Sequence, residues 1–142
     1  MAQSRKQTKN KVIIIPCSGI GKSFGTIGRE ATYIVTDELQ PGNSDTLCLS
    51  LLTMRDPESQ ILVQTNPTIT IDGCPKMCAK VNVEKSGGNP IQSFKVFDIY
   101  REHKDLKSSS VSNIGENGFK LARIVAEKVS AKVNDILEVE EN

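Results

Sequence analysis

Four cysteines are the residues of this 142-residue chain whose type most directly suggests chemistry: Cys17, Cys48, Cys74 and Cys78. Four thiolates complete one tetrahedral zinc site, and four thiolates can equally hold an iron–sulfur cluster. A chain of this length can bury a sufficient apolar core without disulfide staples. We therefore interpret the cysteines as metal ligands or redox-active thiols, as is usual for proteins of a reducing compartment.

Cys74 and Cys78 form the pair with the most informative spacing. Cys74 directly precedes Pro75, which suits the first turn of a helix, so we expect Cys74 to cap a helix over 75–86. Residues four apart on a helix share one face, so the two thiols would be neighbours. The helix dipole would favour the thiolate of Cys74, the form that binds metals or attacks electrophiles. The pair therefore supports a metal site or, alternatively, a thiol redox or sulfur-transfer enzyme with Cys74 as nucleophile.

A glycine-rich segment adjoins Cys17. Residues 16–23 read PCSGIGKS, and the final GKS matches the second half of a phosphate-binding P-loop. Pro16 stands where the first glycine is required, and proline lacks both the N–H group and the conformational freedom of glycine. We therefore expect a small anionic ligand here in preference to a nucleotide. The residues expected to take part are Gly19, Gly21, Lys22 and Ser23.

Alternating strands and helices must position these side chains. The predicted strands are 11–16, 45–52, 68–72 and 91–100. The predicted helices are 25–39, 56–64, 75–86 and 114–137. This order predicts an α/β fold, a three-layer, Rossmann-like sandwich with a mostly parallel sheet. Ligands bind at the carboxyl ends of such strands, so we expect the cysteines to gather at that edge.

Cys48 and Asp72 have less sharply defined roles. In the segment 45–52, DTLCLSLL, leucines alternate with Cys48 and Ser50, which predicts a strand with Cys48 near its middle or end. A cysteine among leucines also suits simple apolar packing, so Cys48 is the metal ligand that we expect to be dispensable. Asp72 directly precedes Gly73, where it could accept hydrogen bonds from a turn or orient a metal ligand from behind.

Length and charge limit the class of protein. Lys and Arg total 18 against 17 Asp and Glu, a net charge of +1, which argues against nucleic acid or anionic membrane as partners. No apolar run is long enough for a secretion signal or a membrane span, so we expect a cytoplasmic protein. We expect one domain over 12–137, between a flexible basic tail at 1–11 and an acidic tail at 138–142. The free edge of the strand at 91–100 would suit pairing in a homodimer.

The segments that carry the cysteines also resemble a known family. PCSGIGKSFGTIGREA, TLCLSLL and ITIDGCPKMCAKVNVEKSGG resemble the DGC-domain proteins, which take their name from the triplet that is here Asp72-Gly73-Cys74. The resemblance covers about residues 12–100, and the family's four cysteines fall on the four cysteines of this chain. It implies a zinc-binding α/β domain, and it supplies no reaction.

Several interpretations of the four thiols stay open. A closed four-thiolate zinc site is normally structural, whereas an open position allows exchange or catalysis. We expect one zinc ion held by the thiolates of the four cysteines, Cys17, Cys48, Cys74 and Cys78. Because a chain of this length should not need zinc to fold and the thiols fall at the ligand-binding edge, we expect metal handling or metal-dependent thiol chemistry. The alternatives are the thiol redox or sulfur-transfer enzyme and an iron–sulfur protein. The sequence names no substrate.

Overall fold

The computed structural model of the chain describes residues 11–19, 22–110 and 113–141 and contains a four-stranded sheet. The strands are β1 (Val12–Pro16), β2 (Ser44–Thr46), β3 (Thr68–Asp72) and β4 (Gln92–Lys95). They lie in the order β2-β1-β3-β4, and every neighbouring pair is parallel. The prediction of an α/β fold with a parallel sheet is confirmed. Of the basic tail predicted at 1–11, only Lys11 lies within the described residues.

Helices connect the strands. They are α1 (Ser23–Ile34), α2 (Leu49–Thr53), α3 (Pro57–Thr65), α4 (Cys78–Lys85), α5 (Val96–Arg101) and α6 (Gly115–Glu141). A π-helical segment, Val35–Leu39, continues α1 toward β2. None of the helices in the described part of the chain is both long and apolar enough to cross a membrane.

Two apolar clusters cover the sheet. Val12 and Ile14 of β1 belong to one cluster with residues of α1, α5 and α6. Ile13 and Ile15 belong to the other cluster with residues of α2, α3 and α4. Because successive residues of a strand point to opposite faces, the two clusters lie on opposite faces of the sheet. Burial on both faces explains why β1 is a continuous β-branched run in the sequence.

The strand predicted over 45–52 is wrong in its second half. β2 ends at Thr46, and the leucine-rich stretch that follows Cys48 forms α2 instead. Leu49 and Leu52 are the buried residues of α2, and their spacing of three puts both on one helical face. Leucines at this density satisfy a strand and a helix equally well, so packing decides between the two. Cys48 therefore lies between β2 and α2 and not within a strand.

The strand predicted over 91–100 is also too long. β4 ends at Lys95, and the residues from Val96 onward form α5. Val96 and Ile99 are buried in the same cluster as α1 and α6, again at a spacing of three. The β-branched and aromatic content of this segment favours a strand locally, but burial of one helical face overrides that preference.

Candidate functional site

The four cysteines follow three neighbouring strands of the sheet. Cys17 comes directly after β1, Cys48 follows β2, and Cys74 and Cys78 follow β3. Because these strands are parallel and adjacent, their carboxyl ends lie along one edge. All four cysteines are free thiols. The topology therefore brings the four positions to the same edge of the sheet.

Cys17 is the buried member of the group, with 3% of its surface exposed. The Gly73 N–H donates a hydrogen bond to its Sγ at 3.2 Å. Burial raises the pKa of the Cys17 thiol, the Gly73 N–H opposes that rise, and the charges of Asp72, Cys74 and Cys78 add to it. The thiols of Cys17, Cys74 and Cys78 therefore lie in one electrostatic environment. The loop after β1 carries Cys17, and the segment after β3 carries Cys74 and Cys78.

Asp72 organises the segment that carries Cys78. Its carboxylate is 1% exposed and accepts hydrogen bonds from the N–H groups of Ala79 at 2.8 Å and Lys80 at 3.1 Å. Burial raises the pKa of Asp72, whereas the two N–H groups and the Lys80 charge lower it. These N–H groups belong to the first turn of α4, which begins at Cys78, where backbone donors have no partner within the helix itself. Asp72 thus fixes the start of the helix whose first residue is Cys78.

The prediction that Cys74 caps a helix beginning at Pro75 is wrong. The helix starts at Cys78, and the residue before it, Met77, caps it in the left-handed conformation with φ 53° and ψ 51°. The Met77 N–H donates to the Cys74 carbonyl oxygen at 3.1 Å and closes a turn before the helix. The positive end of the helix dipole therefore lies at Cys78, which removes the physical reason for choosing Cys74 as the activated nucleophile.

Cys48 differs from the other three thiols in its surroundings. It is exposed, and its Sγ lies 2.9 Å from the Ser50 Oγ. The Ser50 hydroxyl lowers the pKa of Cys48, with help from the backbone N–H groups of Ser50 and Leu51. Its neighbours Leu47 and Leu49 pack in the same apolar cluster as Cys17 and Cys78. Cys48 thus stands at the same edge, but solvent and Ser50 surround its sulfur.

The predicted anion-binding loop is described only in part, because Gly21 lies outside the described residues. Gly19 has a positive φ of 52° and its carbonyl accepts the N–H of Lys22 at 3.0 Å. Lys22 is exposed and is the residue that precedes α1, so Ser23 begins the helix. The loop therefore opens a helix as expected, and anion binding itself stays a prediction.

The thiols are not yet arranged as a metal site. Zinc–sulfur bonds are about 2.3 Å long, so thiolates that share one zinc lie within about 4 Å of each other. Among the described residues, no group of three or more His, Cys, Asp or Glu side chains is arranged to hold a metal ion. Binding through these cysteines would require their side chains to turn toward a common point, while the donor type fits a thiophilic metal.

Comparison with known proteins places the chain in a family. The family model of the DGC domain matches residues 13–118. The chain belongs to the DGC-domain family. No curated protein and no solved structure matches it.

The match extends along the DGC domain from β1 to the first turn of α6, and it includes all four cysteines. Two features of the DGC site were not predicted from the sequence. One is the Ser50 hydroxyl at Cys48, for which the spacing Cys-x-Ser is a weak signal. The other is the Gly73 N–H at Cys17, which depends on how two distant loops meet and leaves no local pattern.

Proposed function

We propose that this DGC-domain protein binds one zinc ion through the thiolates of Cys17, Cys74 and Cys78, and that its role is to handle the metal. The observation that carries the proposal is the shared environment of these three cysteines. The Gly73 N–H, next to Cys74 in the chain, donates a hydrogen bond to the Cys17 Sγ at 3.2 Å. Burial raises the pKa of Cys17, and the charges of Asp72, Cys74 and Cys78 add to that rise. Three sulfur donors suit zinc, and three protein ligands leave its fourth tetrahedral position open.

The fold supports a role of the protein in metal handling more than a structural role for the metal. Two apolar clusters on opposite faces of the sheet account for the core, so the fold has a source of stability other than a metal. The three thiols lie at the carboxyl edge, where α/β proteins place their ligands. When bound, zinc would hold the thiols as thiolates and keep one position for an incoming or outgoing ligand.

Cys48 is the natural candidate for that exchangeable position. It stands at the same edge, is exposed, and has a pKa below the ordinary value of a thiol. A thiolate that is formed readily and faces solvent can receive a metal from outside and release it again. We therefore propose that Cys48 transfers the metal ion and that the other three cysteines retain it.

Metal analysis of protein purified without oxygen tests the assignment. Wild type and the four single Cys→Ser variants are compared, with circular dichroism as the check on folding. We expect about one zinc per chain in wild type and in Cys48→Ser, and loss of zinc in the other three variants. Loss in all four variants would instead indicate a closed four-thiolate site.

Two further outcomes would overturn the proposal. Iron with visible absorption would make the chain an iron–sulfur protein. Absence of metal together with reversible oxidation of Cys74 and Cys78 would favour the thiol redox or sulfur-transfer enzyme.

A further inference from the structure

Three glycines from separate parts of the chain meet beside Cys17. Gly19 follows β1, Gly25 lies in the first turn of α1, and Gly73 lies in the turn after β3. A Cβ atom on Gly73 would lie 2.6 Å from the backbone nitrogen of Gly25 and 2.7 Å from the carbonyl carbon of Phe24. We call the contact of these three glycines the glycine junction.

Gly25 occupies the middle of the glycine junction. A Cβ atom on Gly25 would lie 2.6 Å from the carbonyl oxygen of Gly19 and 2.9 Å from its carbonyl carbon, and it would also overlap the Gly19 Cα. Every obstacle is backbone, which cannot rotate away as a side chain can. The loop after β1 and the turn after β3 can therefore both approach α1 only because neither they nor Gly25 carries a side chain there.

The two segments held at the glycine junction are those that carry the thiols. Cys17 lies two residues before Gly19, and Cys74 directly follows Gly73. The hydrogen bond from the Gly73 N–H to the Cys17 Sγ crosses the same junction. A displacement of either segment would change the distance between Cys17 and the Cys74–Cys78 segment.

We propose that Gly25 is a positioning residue of the metal site, although it provides no ligand and lies on a helix that carries no cysteine. It sets the separation between Cys17 on one side and Cys74 and Cys78 on the other. This inference rests on the proposed zinc site and adds to it the element that holds its two halves in register. Zinc–ligand distances vary by only about 0.2 Å, so the separation of the two backbone segments should determine whether the three sulfurs can turn onto one zinc ion.

Gly28 supplies a matched control. It lies on the same helix, is also buried, and would gain the same favourable helix propensity on replacement by alanine. A Cβ atom on Gly28 would meet the Ile71 Cγ2 at 3.2 Å and the Val96 Cγ2 at 3.8 Å. The Ile71 methyl group would have to shift by a few tenths of an ångström, and the Val96 methyl group is already at an ordinary contact distance. Neither residue lies in the loop after β1 or in the turn after β3.

The test compares wild type, Gly25→Ala and Gly28→Ala as full-length chains. Zinc affinity is measured by competition with a chromophoric chelator, and Co²⁺ is added separately to record the thiolate-to-metal charge-transfer band. We expect Gly25→Ala to weaken zinc binding about 10- to 100-fold, the range found when the support of a metal ligand is removed, and to alter the Co²⁺ band. Gly28→Ala should stay within about 2-fold of wild type and keep its spectrum.

Gly73→Ala provides a second route if Gly25→Ala does not fold. It opens the glycine junction from the other side and carries the same expectation. Wild-type affinity and an unchanged Co²⁺ spectrum in a folded Gly25→Ala or Gly73→Ala variant would refute the positioning role and leave the zinc site standing. If wild type itself takes up no zinc, the proposed function is wrong and the inference is wrong with it.

Discussion

The Asp72 carboxylate ties the end of β3 to the start of α4, and its removal should destabilise the fold even without metal. In Asp72→Ala the N–H groups of Ala79 and Lys80 lose their acceptors. Ala79 is fully buried, so water cannot readily replace the lost partner. The change therefore leaves an unsatisfied donor in the interior, which is among the more costly consequences of a single substitution.

The size of this loss follows from two overlapping considerations. Loss of a capping side chain costs about 0.5–2 kcal/mol, and an unsatisfied buried N–H costs about 1–3 kcal/mol. These describe the same two bonds, so they are not added, and removal of a buried charge offsets part of the loss. We expect Asp72→Ala to lower the free energy of unfolding by about 2 kcal/mol. For a chain of this length, that corresponds to a fall in Tm of roughly 6 °C.

The pH dependence gives an independent check through Asp72→Asn. Burial raises the pKa of Asp72 above its ordinary value of 3.8, so the folded protein retains this proton at pH values where the unfolded chain has lost it. Between those two pKa values unfolding releases a proton, and the stability of wild type falls as pH rises. Asp72→Asn lacks this titration. The advantage of wild type over Asp72→Asn should therefore be largest near pH 4 and shrink toward neutral pH.

The assay is urea unfolding of the metal-free proteins, followed by circular dichroism, at intervals from pH 4 to pH 8. Asp98→Asn serves as the control, because the Asp98 side chain is 58% exposed and its pair with Arg101 is long, at 3.9 Å. Such surface substitutions change stability by about 0.5 kcal/mol or less. Equal stability of Asp72→Ala and wild type would refute the capping role. An advantage over Asp72→Asn that grows with pH would refute the stated effect of burial.

Two further predictions concern the thiols and the backbone beside them. Iodoacetamide should modify Cys48 at least about tenfold faster than Cys17. Cys48 is exposed and its pKa is lowered, whereas Cys17 is buried and its pKa is raised. Peptide mapping by mass spectrometry measures the two rates, and equal rates would contradict this prediction. Met77→Gly should stabilise the metal-free protein by about 1 kcal/mol in urea unfolding, since glycine adopts the left-handed conformation of residue 77 without strain. Gly42→Ala, at φ 82° with open space around it, should lower the free energy of unfolding by a similar amount. A loss of stability in Met77→Gly would show that the side chain outweighs the strain.

The parallel sheet could be predicted because the sequences of its two central strands suit a buried strand and no other element. β1 and β3 are short β-branched runs bounded by proline and glycine, and both are buried on two faces, so the local preference and the packing agree. The segments 47–52 and 96–101 contain as many apolar residues but satisfy both periodicities. There the helical form prevails because it buries one face against a cluster that the sequence does not display.

The start of α4 could not be predicted for a different reason. Pro75 gives a strong local signal for a first helical turn, and it is misleading here. The helix actually starts after Met77, which has a left-handed conformation that is unusual for that residue type. Its start also depends on the Asp72 carboxylate, which accepts the N–H of Ala79 from seven residues earlier in the chain. Such long side-chain contacts are set by tertiary structure and leave no periodic pattern. The same holds for the approach of Gly25 to Gly73.

The three residues of the Asp72-Gly73-Cys74 triplet have three different structural roles. Asp72 fixes the helix start at Cys78, Gly73 fits against α1 and donates its N–H to Cys17, and Cys74 provides a thiol between them. One triplet therefore acts on three cysteines while containing only one of them. For the proposed zinc site, a change at Asp72 or Gly73 should weaken metal binding without removing any of the proposed ligands. The weakening should be traceable to Cys78 for a change at Asp72 and to Cys17 for a change at Gly73.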